Sequence, residues 1–344
     1  MAVTMEQIAR QVGVSRGTVD RALHGRGGVK HEVAQKIKEV AKELGYKPNL
    51  AGKLLSDKKY GKHLIGIILV TENNPFFDDI ISGAEAAITE FQEFGVSGVI
   101  RILVEYDAER QIQLMDELLD MGAQGFVMTP ILDSRIDEKI SRLRKNGVHV
   151  VTINSDTRTS DRLAYVGCRH KQSGVVMAEL LSILADGREV NVAVLAGTEK
   201  NLAVTRRKQG FLEFLETEST NIHIARLCAN EDDSEISYAQ TKAMLKEYEN
   251  LDYLCVLGAG ISGTIRAVKE RESEHIPKLL VYDLIQDVKD ALAERLVKAT
   301  ITQEPFRQGY DGVQIMAKYL AFGQHPENDI VHTKLAVVLS SCLA

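Results

Sequence analysis

No run of eighteen apolar residues occurs in this chain of 344 residues, so a membrane-spanning helix is not expected. The first residues, MAVTMEQIAR, lack the apolar stretch of a secretory signal, which points to the cytoplasm. Four cysteines, Cys168, Cys228, Cys255 and Cys342, are scattered without a CxxC pair. Neither a zinc knuckle nor a disulfide framework is expected from them; buried, reduced thiols are. GxSxG, HExxH and Walker A strings are absent and the nine histidines are dispersed, so no enzyme, metal or cofactor reading emerges from those motifs.

What is present is unevenly distributed. Residues 1–60 carry 12 Lys+Arg against 6 Asp+Glu, while the remainder carries 30 against 42. A basic head on an acidic body fits a polyanionic partner for the head alone. The 44% apolar content suffices for two or three separate cores.

Residues 4–23 read TMEQIARQVGVSRGTVDRAL. Thr4 suits a helix N-cap, with Gln7 three residues on. Ile8, Ala9 and Val12 give that helix one apolar face, and Gly13 suits a tight turn. Ser15 suits the cap of a second helix, Arg16 to Leu23. Val14, Val19 and Leu23 would face inward, and Arg16, Gly17, Asp20 and Arg21 outward. Two short helices joined by a glycine turn, with arginines on the free face of the second, form a helix-turn-helix. On periodicity alone, a small helical hairpin with a solvated basic face fits equally well. A basic third helix is expected from Lys30 to Leu44, ended by Gly45.

The string Ile8-Ala9, Gly13-Val14-Ser15, Thr18-Val19, Arg21-Ala22-Leu23, Gly25 and Leu44-Gly45-Tyr46-Lys47-Pro48-Asn49 resembles the LacI/GalR family of bacterial repressors. That resemblance implies DNA-contacting roles for Thr4, Ser15, Arg16, Gly17, Thr18, Asp20, Arg21, His24, Asn49, Lys53 and Leu55. Arg16 and Gly17 stand at the family's main base-reading positions, and an arginine there suits guanine. Asp20 stands where the family usually has serine; it either pairs with Arg16 or Arg21 or accepts from a cytosine amino group. The resemblance also implies a hinge helix over Pro48–Leu55 that forms on operator DNA, with Leu55 wedged into the minor groove. Gly52-Lys53 replaces the usual Ala-Arg pair. Glycine costs a helix about 1 kcal/mol against alanine, so this hinge is less willing to fold off DNA. A flexible tether fits the same residues.

From Leu64 onward, β-rich runs at 64–70, 99–104, 125–129, 148–153, 190–196, 222–227, 253–257, 278–282, 297–302 and 333–339 alternate with helical stretches. This alternation predicts βαβ units and parallel sheets covered on both faces. The fold class is α/β: a three-helix head plus a two-lobed core resembling the type I periplasmic-binding-protein fold. The expected boundaries are a DNA-binding domain at 1–47, a hinge and linker at 48–62, and an effector-binding core at 63–344. Within the core, one lobe takes about 63–162 and 304–325, the other about 163–303 and 326–344.

Ligands of open α/β sheets bind beyond the carboxyl ends of strands. Asn73-Asn74-Pro75-Phe76-Phe77 follows the first strand, Asn154-Ser155-Asp156 the fourth, Asp283 ends LLVYD, and Gln303 follows KATIT. With Arg207 before Gly210-Phe211, these stretches are similar to the pentose contacts of the bacterial ribose-binding protein. The resemblance implies a sugar or polyol effector held by Asn74, Phe76, Phe77, Arg207, Asp283 and Gln303; the polar cluster after the fourth strand adds Asn154 and Asp156, fit to hold hydroxyls. Asn154-Ser155 replaces an Asp-Arg pair, and the glycine stretch at 258–263 an Asn-Asp pair. Phe76 and Phe77 also suit a core, and Asp283 suits a helix cap.

One rival remains. Gly258-Ala259-Gly260-Ile261-Ser262-Gly263 matches GxGxxG after a strand, with Asp283 twenty residues past the last glycine. That pattern fits a redox-sensing repressor binding NAD(H). Its place near the end of the second lobe, outside a first βαβ unit, weighs against it. The expected protein is thus a cytoplasmic, homodimeric repressor with partners in operator DNA and a small sugar or polyol.

Overall fold

The computed structural model describes residues 5–23, 29–44, 61–70, 74–158, 161–218 and 221–343. The chain divides into two units, residues 1–60 and 61–344. Thr4, His24, Asn49, Lys53, Leu55 and the hinge lie outside the described residues, as does the side chain of Asp20.

The first unit contains α1 (Met5–Val12), α2 (Arg16–Leu23) and α3 (His31–Glu43). Ile8, Val19 and Ile37 are fully buried at its centre, with Ala9, Ala22, Val40 and Ala41 around them. Val12, Val14 and Leu23 pack against this cluster, so both helices turn their apolar faces inward. Gly13 adopts φ +76°, and its N–H and that of Val14 both bond the Ala9 carbonyl, at 2.9 and 3.0 Å. Ser15 Oγ accepts from the Thr18 N–H at 3.1 Å, the N-cap geometry that starts α2.

The second unit is built on two six-stranded sheets. The first runs in the order β11-β5-β4-β3-β1-β2, the second β12-β10-β9-β8-β6-β7. The strands are β1 (His63–Val70), β2 (Val96–Leu103), β3 (Ala123–Met128), β4 (His149–Ile153), β5 (Ala164–Gly167), β6 (Val190–Leu195), β7 (Ile222–Cys228), β8 (Tyr253–Val256), β9 (Lys278–Tyr282), β10 (Val297–Thr302), β11 (Ile330–His332) and β12 (Ala336–Val338). All pair in parallel except β10 with β12. Central strands such as β1 are buried on both faces, which is why HLIGIILV reads as one apolar run.

The covering helices are α4 (Phe76–Phe91), α5 (Ala108–Asp120), α6 (Ser134–Lys145), α7 (His170–Ala185), α8 (Leu202–Glu218), α9 (Ser234–Glu247), α10 (Ile261–Lys269), α11 (Gln286–Ala293) and α12 (Pro305–Phe322). Two helix pairs meet backbone to backbone. A Cβ on Gly309 would stand 2.0 Å from the Ile80 carbonyl oxygen, and one on Gly83 2.0 Å from that of Phe306, so α4 and α12 are mutually notched. Gly174 and Gly210 notch α7 and α8 in the same reciprocal way, against the carbonyls of Arg207 and Lys171.

The lobe boundaries differ from expectation at two places. β5, expected in the second lobe, pairs with β4 and β11 in the first sheet. Of residues 326–344, expected in the second lobe, β11 pairs with β5 in the first sheet, while β12, inside the expected strand 333–339, lies in the second. The chain therefore passes between sheets after β5, after β10 and after β11. These passages are tied together: the Thr333 N–H bonds the Gly167 carbonyl at 3.1 Å, and the Lys334 N–H bonds Glu304 Oε2 at 2.8 Å.

Candidate functional site

In the first unit Arg16, Gly17 and Arg21 are exposed on α2 and Thr18 is half-buried. Ser15 is engaged locally, its Oγ lying 2.9 Å from Thr18 Oγ1 as well as capping the helix. The exposed face of α2 thus offers two guanidinium groups beside a glycine with no side chain to obstruct close approach.

In the second unit a cleft opens between the lobes. Seven of the eight residues nominated from sequence line it: Asn74, Phe76 and Phe77 beyond β1, Asn154 beyond β4, Arg207 on α8, Asp283 beyond β9 and Gln303 beyond β10. Asn74 Oδ1 accepts from the Phe76 N–H at 3.1 Å, which seats the start of α4. The two phenyl rings meet edge to face at 5.3 Å. Both belong to the core of the first lobe, as one reading of the sequence expected, and both also line the cleft.

Arg207, Gln303 and Asp283 form one chain of contacts. Arg207 donates from Nη1 to the Leu257 carbonyl at 3.2 Å and from Nη2 to Gln303 Oε1 at 3.0 Å. Its guanidinium carbon sits 4.0 Å from the Tyr282 ring centroid. Nε finds no partner among the described residues, which a ligand acceptor or water would supply. Gln303 Nε2 donates to Asp283 Oδ1 at 2.9 Å. Burial pushes the Asp283 carboxyl up to about 6, against the opposing pull of Arg207 and Gln303. Asp283 adopts φ 62°, and the N-cap position of α11 is Ile285, with no side-chain cap bond, so Asp283 is no helix cap.

Asn154 also adopts a left-handed φ of 61°, and its Nδ2 donates to Gln308 Oε1 at 3.3 Å. Its carbonyl accepts from buried His170, the first residue of α7. Burial, with the charge of Arg207 added, pushes that imidazole down to about 3, so it is neutral. Cys168 lies between His170 and Gln303, at 3.2 and 3.3 Å, and burial pushes its thiol up to about 11.

Asp156 is the correction. It does not line the cleft. Arg162 clamps it with two bonds, Nε to Oδ1 at 2.7 Å and Nη2 to Oδ2 at 2.9 Å, and Thr152 donates to the same Oδ1. A carboxylate spent on a bidentate arginine has a structural task.

Three polar cleft residues escaped the sequence reading: Tyr106, Asn201 and Asp232. Asp232 Oδ2 accepts from the Tyr106 hydroxyl at 3.1 Å and Oδ1 from the Ala259 N–H at 2.8 Å. Burial raises its carboxyl. Asn201 Nδ2 donates to the Tyr106 hydroxyl at 3.2 Å. All three follow strands, Tyr106 the edge strand β2, Asn201 the interior strand β6 and Asp232 the edge strand β7, so the strand-end rule applied to every strand finds them.

The GxGxxG glycines have packing tasks. A Cβ on Gly258 would stand 2.3 Å from Asp232 Oδ1. Gly260 precedes α10 at φ +80°, and a Cβ on Gly263 would stand 1.8 Å from the Ser234 carbonyl. These residues seat α10 against α9 and Asp232 against the β8 loop, which leaves the NAD(H) reading without support.

Residues 65–325 match the family described as periplasmic binding protein domain, and residues 4–49 match bacterial regulatory proteins, lacI family. Catabolite control protein A of Priestia megaterium is 24% identical over 220 residues, 64% of this chain and 62% of that protein. A probable HTH-type transcriptional repressor, ExuR, of Bacillus subtilis is 28% identical over 218 residues, 62% of this chain and 60% of that protein. The chain's matches thus span about three fifths of these relatives' own lengths. An ABC transporter solute-binding protein from Burkholderia graminis, solved in complex with D-arabinose, superposes with a TM-score of 0.76 at 21% identity, over 83% of this chain and 98% of that one. By the match over residues 65–325 this chain belongs to the family described as periplasmic binding protein domain, and it carries at its N-terminus a helix-turn-helix domain of the lacI type.

Proposed function

We propose that this chain is a homodimeric repressor of transcription whose operator affinity is set by a small sugar or polyol bound between its lobes. Seven residues nominated from separate stretches converge on one cleft, and that convergence carries the reading. Phenyl faces at Phe76 and Phe77 suit the apolar faces of a sugar ring, and Asn74, Asn154, Arg207, Asp283 and Gln303 suit its hydroxyls. The mouth is bridged by Tyr106 to Asp232, by Lys200 Nζ to the Tyr106 carbonyl at 3.3 Å and by the Leu132 N–H to the Lys200 carbonyl at 2.8 Å. The passages after β5 and β10 leave from the same carboxyl strand ends, where Cys168 meets the lining residue Gln303 at 3.3 Å. An effector that prefers one degree of closure shifts the population of lobe arrangements, and operator affinity follows. Dimerisation matches the half-site geometry of helix-turn-helix readers.

The test is selection of a duplex from random DNA, followed by anisotropy titration with and without sugars. A selected duplex that binds no better than random DNA at moderate salt overturns the proposal. In the same assay Arg16→Ala is expected to cost about 1–3 kcal/mol on the selected site and much less on random DNA. Equal losses on both would remove the base-reading role.

The pH dependence follows from Asp283. Its folded pKa, about 6, lies above the unfolded value of about 3.9. The folded chain therefore holds a proton that the unfolded chain has lost in that window. The stability this proton contributes is fully present below about pH 4 and lost as pH rises through about 6. Effector hydroxyls donate to the ionised carboxylate, so affinity should rise with pH through about 6 and then level. Asp232, raised in the same direction, contributes its own share. Calorimetry between about pH 5 and 8 checks this. In Asp283→Asn the slope should shrink; an unchanged slope would free Asp283 from the effect.

A further inference from the structure

Charge in the cleft bears on the charge of its ligand. Among the described lining residues the carboxylates are Asp232 and Asp283, and the one permanent cation is Arg207. That guanidinium is already engaged by Leu257, Gln303 and the face of Tyr282. The carboxylates flank it. Asp283 follows β9 and Asp232 follows β7, and the strand order β9-β8-β6-β7 separates them by three strand spacings of about 4.8 Å each.

Asp232 is held in place from several sides. Its own backbone is left-handed at φ 61°, and the Ala259 N–H and the Tyr106 hydroxyl both donate to it. Two glycines clear its space: a Cβ on Gly258 or on Gly197 would stand 2.3 or 2.6 Å from Oδ1. A ring lying along the sheet edges therefore meets a carboxylate toward each end. Both accept hydroxyl hydrogens and both repel an anionic substituent.

We infer that this cleft selects an uncharged monosaccharide or polyol and rejects its phosphorylated and carboxylated forms, with Asp232 excluding the anion at the β7 end. The inference rests on the sugar reading above and narrows it.

Calorimetry on the full chain, at pH about 7.5, tests it with D-ribose, D-glucose and myo-inositol against ribose 5-phosphate, glucose 6-phosphate and glucuronate. A neutral probe should bind at least about tenfold more tightly than its anionic counterpart. Asp232→Asn should shrink that ratio to about threefold or less, with Asp283→Asn as the second variant if the first fails to fold. A phosphate or uronate that binds as tightly as its neutral parent overturns the inference and leaves the sugar reading standing. A ratio unmoved by either variant overturns the role of the two carboxylates. No heat with any of the six overturns the sugar reading itself, and the inference falls with it.

Discussion

Arg207→Met should lose effector affinity by at least about a hundredfold while leaving operator affinity in place, because one guanidinium holds together most of the cleft floor. Two charged-group hydrogen bonds disappear with it, each worth about 1.5–3 kcal/mol. Methionine fills part of the volume, so the loss is electrostatic more than steric. The folded state also suffers. Asp283 is buried and loses the nearby charge that holds its ionised form down, so the folded state is destabilised wherever Asp283 is ionised. That loss has a signature in pH. Without Arg207 the Asp283 pKa should rise further, so the stability deficit should shrink as pH falls toward about 5. Urea unfolding at about pH 5 and 8, with calorimetry on sugar, checks both halves. Arg207→Lys should restore only part of the binding, since an ammonium cannot span the Leu257 carbonyl and Gln303 together while stacking on Tyr282. Full sugar affinity in Arg207→Met would remove this residue from the site.

Gly309→Ala is the second large effect, and its sign runs against helix propensity. Inside an exposed helix the change normally gains about 1 kcal/mol. Here the new methyl would stand 2.0 Å from the Ile80 carbonyl oxygen, 2.9 Å from its carbon and 3.0 Å from the Ala84 nitrogen. All three are backbone atoms, so no side-chain rotation relieves the clash and the two helices must part. Overpacking of this kind costs about 1–3 kcal/mol or more, which exceeds the propensity gain. Unfolding midpoints in urea should fall, and Gly83→Ala should behave alike because its methyl meets the Phe306 carbonyl at the same distance. A midpoint that rises would mean α4 and α12 separate freely.

Much of the fold was legible because two-sided burial writes itself into the chain. HLIGIILV and KLLVY need no partner to be recognised as central strands. β5 was not legible: AYVG is too short to show a period, although all four residues are buried. β11 was not legible for the opposite reason, since Ile330 and His332 are exposed and only its edge pairing to β5 makes it a strand. In the cleft, the residues that follow central strands were found by position alone. Tyr106, Asn201 and Asp232 were not legible because each lies three to six residues past its strand, where nothing in the sequence separates a cleft residue from a loop residue. Asp156 was nominated because a polar triplet after a strand looks alike whether it faces a ligand or an arginine; only Arg162, six residues on, decides it. The glycine motif misled for a related cause. Glycine is needed wherever backbones touch, and contact with a carbonyl of α9 or with a phosphate leaves the same letter in the chain.

The reciprocal notches between α4 and α12, and between α7 and α8, bear on how a binding event is conveyed. Where side chains interdigitate, small displacements dissipate as rotamers readjust. Backbone-to-backbone seating offers no such slack, so each pair should move as a stiff lever. Phe76 and Phe77 stand at one end of the first lever, and Phe91 at the other end of the same 16-residue helix. A nudge delivered by a sugar at the near end should arrive at the far end undiminished in length, much as a rigid rod transmits a push that a rope would not.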